Sequence, residues 1–373
     1  MSRRRRRVAL SLLLLTGTIG AGFAAFADVD LCDFRIPTTD LTQLFLTVHY
    51  TYLDLPDTPS VDVSSGHVSF TYSRVRDESD RAVDVRSTNE LSFDRLKLDR
   101  VLGDANLTSR YYLSDTMPLY AFGEVRADYG TTPGQSGLEL RLGSGYGRLT
   151  DVTPLAKALR IQDALRESLV LASDLSDQAL QEIGRLVGQE AEFSGIGELV
   201  SRIEAVIETE AAVTLNARSL LNIAEIIRST DASQHCGWAA QLGLGYELLP
   251  RFGGARQFLM TLSTDLARPL RLDAQVEVHA DYSRPLLTSG ASAVSASVHY
   301  NRRLSDSTRL VAEYALQRVK QLDREPSVGQ AIEIQLLFDL GRIDLTATAS
   351  LTRGTGMSGW VESLVVAARV DLL

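Results

Sequence analysis

Apolar and polar side chains alternate along many segments of about ten residues. Between positions 271 and 282 the even-numbered residues are apolar, whereas the odd-numbered ones are Asp273, Gln275, Glu277, His279 and Asp281. Segment 343–352 alternates in the same way. Successive side chains of a strand point to opposite faces. Each segment therefore predicts a strand with one face in a polar environment and the other in an apolar one.

We count fourteen such segments, six before residue 150 and eight after residue 235, with twelve as the alternative count. The predicted spans are 42–53, 66–75, 82–93, 105–114, 119–129, 137–148, 237–249, 256–266, 270–282, 292–302, 308–319, 331–340, 342–353 and 361–373. The fold class expected from this pattern is an all-β transmembrane antiparallel barrel with an α-helical insertion after the sixth strand.

The apolar period lengthens to about 3.6 residues within 151–230, which predicts amphipathic helices. Leu180, Ile183 and Val187 form one such run. Thr153 followed by Pro154 is typical of a helix N-cap, as is Ser176 before its own periodic stretch.

The predicted connections differ in length between the two ends of the sheet. Residues 267–269 and 339–342 are expected to be short turns, whereas 53–65, 130–136, 284–290 and 321–329 are longer and rich in Pro, Gly, Ser and Thr. Short periplasmic turns and longer outer loops are typical of bacterial outer-membrane barrels. A soluble two-sheet sandwich is the alternative, since its strands alternate in the same way.

The N-terminus has the features of a secretory signal peptide, because Arg3–Arg7 precede a short apolar run and the small residues that end at Ala27. The expected localisation is the bacterial outer membrane. The predicted domains are a signal peptide at 1–27, a periplasmic segment at 28–41, barrel at 42–150, the helical periplasmic insertion at 151–230, and barrel again at 236–373.

Three alternative roles are expected for the helical insertion: a plug in the lumen, a bundle below the barrel, or a docking site for a periplasmic protein. Segment 151–230 carries 13 acidic and 7 basic residues, so it is not a basic membrane-surface helix. We favour the periplasmic bundle, because apolar stripes on several helices need a common core.

Charge and cysteine content narrow the function. The net charge of −9 becomes −14 without the signal peptide, which holds five arginines and no acid; nucleic acid is therefore not an expected partner. Cys32 and Cys236 are candidates for a disulfide in an oxidising compartment, with two separate thiols as the alternative. The spacing of histidines and cysteines predicts no bound metal, and we expect no cofactor.

Charged residues on the polar parity are candidates for lining a pore, because charges in a lumen set its ion selectivity. They are Glu124, Arg126, Asp128, Glu139, Arg141, Glu277, His279, Asp281, His299, Glu313, Glu333, Arg369 and Asp371. The excess of acids favours a weak preference for cations. The alternative is that paired charges simply fill a closed lumen.

Two patterns invite other chemistry. Ser295, Ser297 and His299 face the same predicted lumen as His279 and its acidic neighbours, which is typical of a serine hydrolase. However, any polar lumen displays such residues, so no catalytic residue is assigned. Gly143, Gly145 and Gly147 lack the Lys-Ser/Thr ending of a phosphate loop and indicate instead curvature of the strand or close approach of a neighbour.

The segments Leu119–Tyr129 and Leu138–Tyr146 resemble the strand pattern of the salt-induced outer-membrane protein family. The resemblance covers about 30 residues and implies a barrel without a defined activity. The chain departs from the usual barrel ending, since its last residue is Leu373 rather than an aromatic residue.

The expected function is an outer-membrane channel for small polar solutes or ions, and not an enzyme. A structural anchor that presents the helical domain to a periplasmic protein is the first alternative, and a lumenal hydrolase is the second. Outer-membrane lipid is the expected partner of the apolar face.

Overall fold

A computed structural model describes most of the chain after the predicted signal peptide. The described residues are 31–33, 38–53, 63–95, 97–114, 117–131, 136–229, 233–250, 256–286, 292–305, 307–320, 325–339 and 343–370. The predicted signal peptide at 1–27, half of segment 28–41 and Asp371 lie outside these ranges.

Fourteen antiparallel strands form one sheet in which each strand pairs with the next along the chain. They are β1 (Thr38–Leu53), β2 (Val63–Glu78), β3 (Arg81–Asp94), β4 (Lys97–Tyr112), β5 (Leu119–Gly130), β6 (Gly137–Asp151), β7 (His235–Leu249), β8 (Phe258–Arg271), β9 (Ala274–Pro285), β10 (Ser292–Ser305), β11 (Thr308–Lys320), β12 (Ser327–Asp339), β13 (Ile343–Gly354) and β14 (Val361–Val370). Since β1 and β14 contact each other, the sheet curls into a barrel. The predicted count of fourteen is confirmed.

The outer face of the barrel is apolar and exposed. Leu142 on β6 is 70% exposed, Leu244 on β7 is 59% exposed and Leu364 on β14 is 75% exposed. The register pairs Leu142 with Leu244 and so places them side by side on this face. Exposed leucines in a continuous band require an apolar environment, which a bilayer supplies to a barrel.

The two ends of the barrel differ in their connections. Turns at Ser79–Asp80 and Leu272–Asp273 are two residues long and lie at the end that carries the helices. At the other end β5 and β6, like β11 and β12, are joined by six residues. The predicted asymmetry has two exceptions: six residues join β4 to β5 at the helical end, and a two-residue turn, in which Arg95 has a φ of 47°, joins β3 to β4 at the long-loop end.

One predicted turn is wrong. Residues 267–269 belong to β8, which continues to Arg271, and the turn follows at Leu272–Asp273. The sequence predicts that proline ends the strand, but Pro269 lies within β8, next to a register shift between Pro269 and Arg271. A bulge tolerates proline because it interrupts the regular ladder.

The insertion between β6 and β7 contains four helices: α1 (Thr153–Glu167), α2 (Asp177–Gly188), α3 (Ile196–Ala211) and α4 (Ala217–Arg228). Ser176 caps α2 as predicted, through its Oγ and the N–H of Ala179. The N-cap of α1 is Val152 rather than Thr153, and the Asp151 carboxylate accepts a 2.9 Å hydrogen bond from the Thr153 N–H. Of the helices in the described ranges, none has the length and apolarity to cross a membrane.

The four helices share one apolar core. Ile161, Ile183, Leu199, Ile203 and Ile223 are each at most 1% exposed. Burial of each such side chain contributes about 1.5–3 kcal/mol relative to an exposed one. Leu31, from the short 3₁₀ helix Leu31–Asp33 that precedes β1, joins this core. The insertion is therefore a bundle with its own interior.

The bundle extends across the barrel end that carries the short turns. Its two connections meet where the Val152 N–H donates to the Gln234 carbonyl at 2.8 Å, beside β6 and β7. Helix α2 contacts β1. In a barrel of fourteen strands β1 lies about half a circumference from β7, so the bundle reaches over the mouth of the lumen.

A disulfide joins Cys32 to Cys236, with 5.3 Å between the two Cα atoms. It therefore links the 3₁₀ helix before β1 to the second residue of β7. Cys236 is buried within the bundle core. The bond closes a chain segment of 204 residues that contains β1 to β6 and the whole bundle.

We expect the double variant Cys32→Ser/Cys236→Ser to lower the stability of the bundle by about 2–4 kcal/mol, because the unfolded chain regains its freedom. Thermal unfolding followed by helical circular dichroism measures this loss. Dithiothreitol treatment of the wild type should reproduce it. An unchanged helical melting temperature would refute the expectation.

Ile334 tests the position of the bilayer, because it lies near the middle of β12 on the outer face and is 46% exposed. We expect Ile334→Arg to destabilise the barrel in lipid vesicles by about 2–4 kcal/mol. Thr348→Arg is the control, since Thr348 lies opposite Gln335 on the inner face of β13. Equal losses in urea-unfolding experiments would contradict this assignment of the faces.

Candidate functional site in the lumen

The register places the sequence-predicted charged residues on the inner face of the sheet. Glu124 pairs with Arg141, and Arg126 pairs with Glu139, across β5 and β6. Asp128 lies on the same parity of β5. Arg369 is opposite Asp344, although its side chain, like Asp371, is not among those that the structure describes. All the candidate residues whose positions the structure describes therefore lie on the lumen-facing parity of their strands.

One side of the lumen, formed by β5 to β8, is packed with ion pairs. Arg141 binds Glu139 through Nε at 2.6 Å and lies 3.6 Å from Glu124, which also lies 3.2 Å from Arg126. The side chains of Glu124 and Arg141 are only 4% and 8% exposed. Asp281 on β9 adds its electrostatic attraction to Arg141. Arg126 and Arg141 thus compensate the charges of Glu124 and Glu139 in this part of the lumen.

Aromatic rings cover the glycines of β6 and β7 on the same side. Tyr120 is 1% exposed and Phe122 is 5% exposed. A Cβ atom on Gly145 would lie 2.3 Å from Cζ of Tyr120, and one on Gly143 would lie 2.7 Å from the ring of Phe122. The glycine run thus admits close approach of a neighbour, which is the structural role its sequence predicted.

Arg148 links β6 to the turn between β2 and β3. Its Nη2 binds the Asp77 carboxylate at 2.5 Å and the carbonyl of Glu78, while Nη1 donates to the Ser79 carbonyl at 2.9 Å. Its guanidinium also lies 4.4 Å from the centre of the Tyr112 ring. Four strand spacings of about 4.8 Å, or about 19 Å of wall, separate β2 from β6. The contacts of Arg148 therefore bring the turn between β2 and β3 close to β6 at the helical end.

Nothing in the pattern of residues singles out Arg148 as a lumenal side chain. Strict alternation from Leu142 and Tyr146 assigns it to the outer face. However, Gly147 has a φ of 101° and Gly237, on the neighbouring strand, has a φ of 118°. These backbone conformations interrupt the alternation, and Arg148 reaches partners on the inner face. A glycine at the end of β6 was the available signal, but it does not specify a direction.

The other side of the lumen carries partly exposed histidines and carboxylates. His279 Nδ1 lies 2.6 Å from Asp265, and its Nε2 contacts Asp281. The His279 side chain is 44% exposed. Near the helical end, His235 Nδ1 lies 3.2 Å from Glu277, whose side chain is 38% exposed. Solvent therefore reaches this wall, unlike the packed side.

The histidine geometry bears on the hydrolase alternative. Ser297 is opposite His279 in the register, as a nucleophile and its base would be. However, both ring nitrogens of His279 face carboxylates. A general base needs a nitrogen that can accept the serine proton. The described contacts of His279 include no hydrogen bond to Ser297, so they do not form the Ser–His pair of a hydrolase.

A row of titratable residues crosses four strands of the exposed side. Glu277 pairs with His299, His299 with Glu313, and Glu313 with Glu333. Directly opposed residues on adjacent strands have Cβ atoms about 4.5–5.5 Å apart. Three carboxyl groups in one row give this wall a negative potential. Within the described part of the chain, no group of three His, Cys, Asp or Glu residues has a geometry that could hold a metal ion.

Comparison with known proteins adds loose structural likenesses. No family model matches the chain, and no curated protein sequence does. The structure overlaps that of the Acinetobacter baumannii outer membrane protein Omp33 at 7% identity and a TM-score of 0.33, covering 90% of this chain and 97% of the other. It overlaps a loop L8 deletion mutant of OmpT, an outer membrane protein of Vibrio cholerae, at 10% identity and a TM-score of 0.33, with 90% and 99% coverage. These overlaps are too loose to bear on function.

The chain's own geometry identifies its class. A single antiparallel sheet of fourteen strands combines an exposed apolar outer face with a charged inner face. Short turns at one end and longer loops at the other complete the architecture of outer-membrane barrels. The protein is an outer-membrane β-barrel with a helical bundle at one mouth.

We expect Gly145→Ala to destabilise the barrel by about 1–3 kcal/mol, because the added methyl group would displace the Tyr120 ring. Gly329→Ala is the matched control, since a Cβ atom on that β12 glycine meets nothing within 4 Å. Urea unfolding in lipid vesicles compares the two variants. Equal stability would show that the ring does not depend on the glycine.

Proposed function

We propose that the protein is an outer-membrane channel for small polar solutes or ions, with a preference for cations. The observation that carries the proposal is the difference between the two sides of the lumen. Glu124 and Arg141 are almost fully enclosed, whereas the His279 side chain is 44% exposed and Glu313 is exposed on β11. The solute path runs along the wall formed by β9 to β13.

Charge on this path supports a preference for cations. Glu277, Glu313 and Glu333 occupy one row with a single histidine between them. Rings or rows of carboxylates raise the local concentration of cations and repel anions. On the packed side, by contrast, Arg141 and Arg126 compensate the carboxylates next to them.

The bundle supports a restricted entrance on the periplasmic side. It is joined to β6 and β7 and also contacts β1. A body that touches opposite parts of the wall narrows the opening between them. We propose that it limits conductance without filling the lumen, because its apolar residues pack against one another.

Single-channel recording in planar bilayers tests the path. We expect Glu313→Gln/Glu333→Gln to reduce the cation-to-anion permeability ratio several-fold, since one unit charge contributes about 1 kcal/mol at 4 Å in water. Glu362→Gln is the control, because Glu362 is exposed on the outer face of β14, opposite Leu351 of β13. A ratio unchanged by the double variant would contradict the proposed path.

Deletion of residues 153–233, with a short linker, tests the role of the bundle. Its ends are already adjacent, as the 2.8 Å hydrogen bond between Val152 and Gln234 indicates. We expect larger conductance steps from the deletion variant. Absence of current from both proteins would favour the alternative function, in which the barrel anchors the bundle for a periplasmic protein partner.

A further inference from the structure

Four basic side chains lie on the outer face of the barrel at the end with the longer loops. Arg284 of β9, Arg318 and Lys320 of β11, and Arg353 of β13 are each within the last three residues of their strands, and all four are exposed. The register pairs Arg318 with Val294, an outward residue of β10 that is 38% exposed. We call these four residues the basic arc. It faces the outer leaflet, because the longer loops of an outer-membrane barrel are extracellular.

The strand order sets the size of the arc. Ser292, the first residue of β10, pairs with Lys320, and its neighbour Ala293 pairs with Ser283, so Arg284 and Lys320 flank the start of β10. Neighbouring strands lie about 4.8 Å apart, so the arc from β9 to β13 covers about 19 Å of the rim. The basic groups therefore form an extended row rather than a single point charge.

Basic residues at the other end of the outer face are compensated by carboxylates. Near the helical end Arg74 lies 2.7 Å from Asp40, and Arg302 lies 3.6 Å from Asp273. In the part of the chain that the structure describes, by contrast, no residue of the basic arc takes part in a hydrogen bond or an ion pair. The same residue types are thus paired at the periplasmic end and lack a described partner at the outer end.

Two carboxylates near the arc do not change this difference. Glu362 of β14 is opposite Leu351, which lies two residues before Arg353 on β13, and Glu325 precedes β12. Among the described contacts neither carboxylate forms an ion pair with the arc. Four basic groups against these two acids leave a net positive charge on the described outer rim from β9 to β14.

Below the arc the outer face is apolar. The next outward residue towards the middle of each strand is Tyr282 on β9, Leu316 on β11 and Leu351 on β13. Arginine and lysine lay their aliphatic stems along such a surface while the charged group stays at the polar boundary. The arc therefore marks the level at which hydrocarbon gives way to headgroups in the outer leaflet.

A groove continues from the arc into the apolar band. It has a volume of about 510 Å³ and crosses the outer face of β12 to β14, where Ala349 lies between Ile334 and Leu364 in the register. The small side chain of Ala349 leaves space between its larger neighbours. Leu351, two residues before Arg353, also lines the groove. A basic group above an apolar groove matches an amphiphile that carries a phosphate above an acyl chain.

We propose that the basic arc binds a phosphorylated glycolipid of the outer leaflet, the class to which lipid A belongs, and that one of its acyl chains lies in the groove on β12 to β14. Guanidinium groups bind phosphate through paired hydrogen bonds. A glycolipid with a phosphate at each end of its sugar headgroup contacts the arc at separate points, whereas a phospholipid brings a single phosphate. The site lies outside the lumen and does not depend on conduction.

Native mass spectrometry of the full-length protein in non-ionic detergent tests the site. The probes are lipid A with its phosphates, the same lipid after dephosphorylation, and phosphatidylglycerol, each at the same concentration. We expect saturable binding of lipid A and binding of the other two lipids that is at least about tenfold weaker, because basic residues attract the anionic headgroup. Equal binding of phosphorylated and dephosphorylated lipid A would overturn the proposal. Phosphatidylglycerol bound as tightly as lipid A would overturn it in favour of a phospholipid.

Charge variants test the arc itself. Arg318→Gln/Arg353→Gln should weaken lipid A binding by about tenfold or more, because it removes two of the four basic groups. Arg74→Gln is the matched control and should leave the affinity unchanged, since Arg74 lies on the outer face at the periplasmic end. Heat-modifiable migration in gels checks that each variant is folded. An unchanged affinity in the folded double variant would refute the role of the arc.

A second pair of variants tests the groove. Ala349→Trp should weaken lipid A binding several-fold by filling the groove, whereas Ala105→Trp, on the outer face of β4, should not. An unchanged affinity in Ala349→Trp would overturn the placement of the acyl chain. A protein that conducts ions without binding lipid A overturns this site alone, and one that binds lipid A without conducting overturns the channel alone.

Discussion

Backbone hydrogen bonding in an apolar solvent is the constraint on which this structure depends. Hydrocarbon offers no partners to N–H and C=O groups, so strands in a bilayer have to pair along both edges. The chain meets this condition with thirteen sequential antiparallel ladders between its fourteen strands and with contact between β1 and β14. Closure then fixes the two faces: leucines such as Leu142 and Leu244 point outward, and the intervening charged residues point inward.

The inner face serves two purposes that its sequence does not distinguish. Along β5 to β8, glycines allow Tyr120 and Phe122 to pack against the wall, and Arg141 joins the neighbouring carboxylates into a neutral network. Along β9 to β13, similar residue types remain accessible to solvent. At the helical end Arg148 joins β6 to the turn between β2 and β3 through hydrogen bonds to Asp77 and Ser79.

The bundle adds a second folded unit with its own interior. The disulfide between Cys32 and Cys236 joins the segment before β1 to the start of β7, and Leu31 packs in the bundle core. Covalent and apolar links therefore hold the bundle at the mouth from two directions. Residues of α1, β10 and β11 line a common cleft at the same junction.

The sequence by itself determined the strand number, the change to helical periodicity between β6 and β7, and the parity of those lumenal charged residues that the structure describes. These features are local, because period two or period 3.6 is written in consecutive side chains. It could not specify that Glu124 is enclosed while Glu313 is exposed, nor bring Lys157 to Arg303, since these depend on contacts between distant strands and helices. The sequence pattern also did not predict the position of the turn after β8, because a bulge at Pro269 interrupts the strand. Nor did it predict that Arg148 contacts the inner face, because positive φ angles at Gly147 and Gly237 break the alternation. Only the tertiary structure decided which lumenal charges form ion pairs, which are exposed to solvent and which lie together at the mouth of the barrel. Burial and contacts between distant residues are properties of the closed barrel rather than of any one strand.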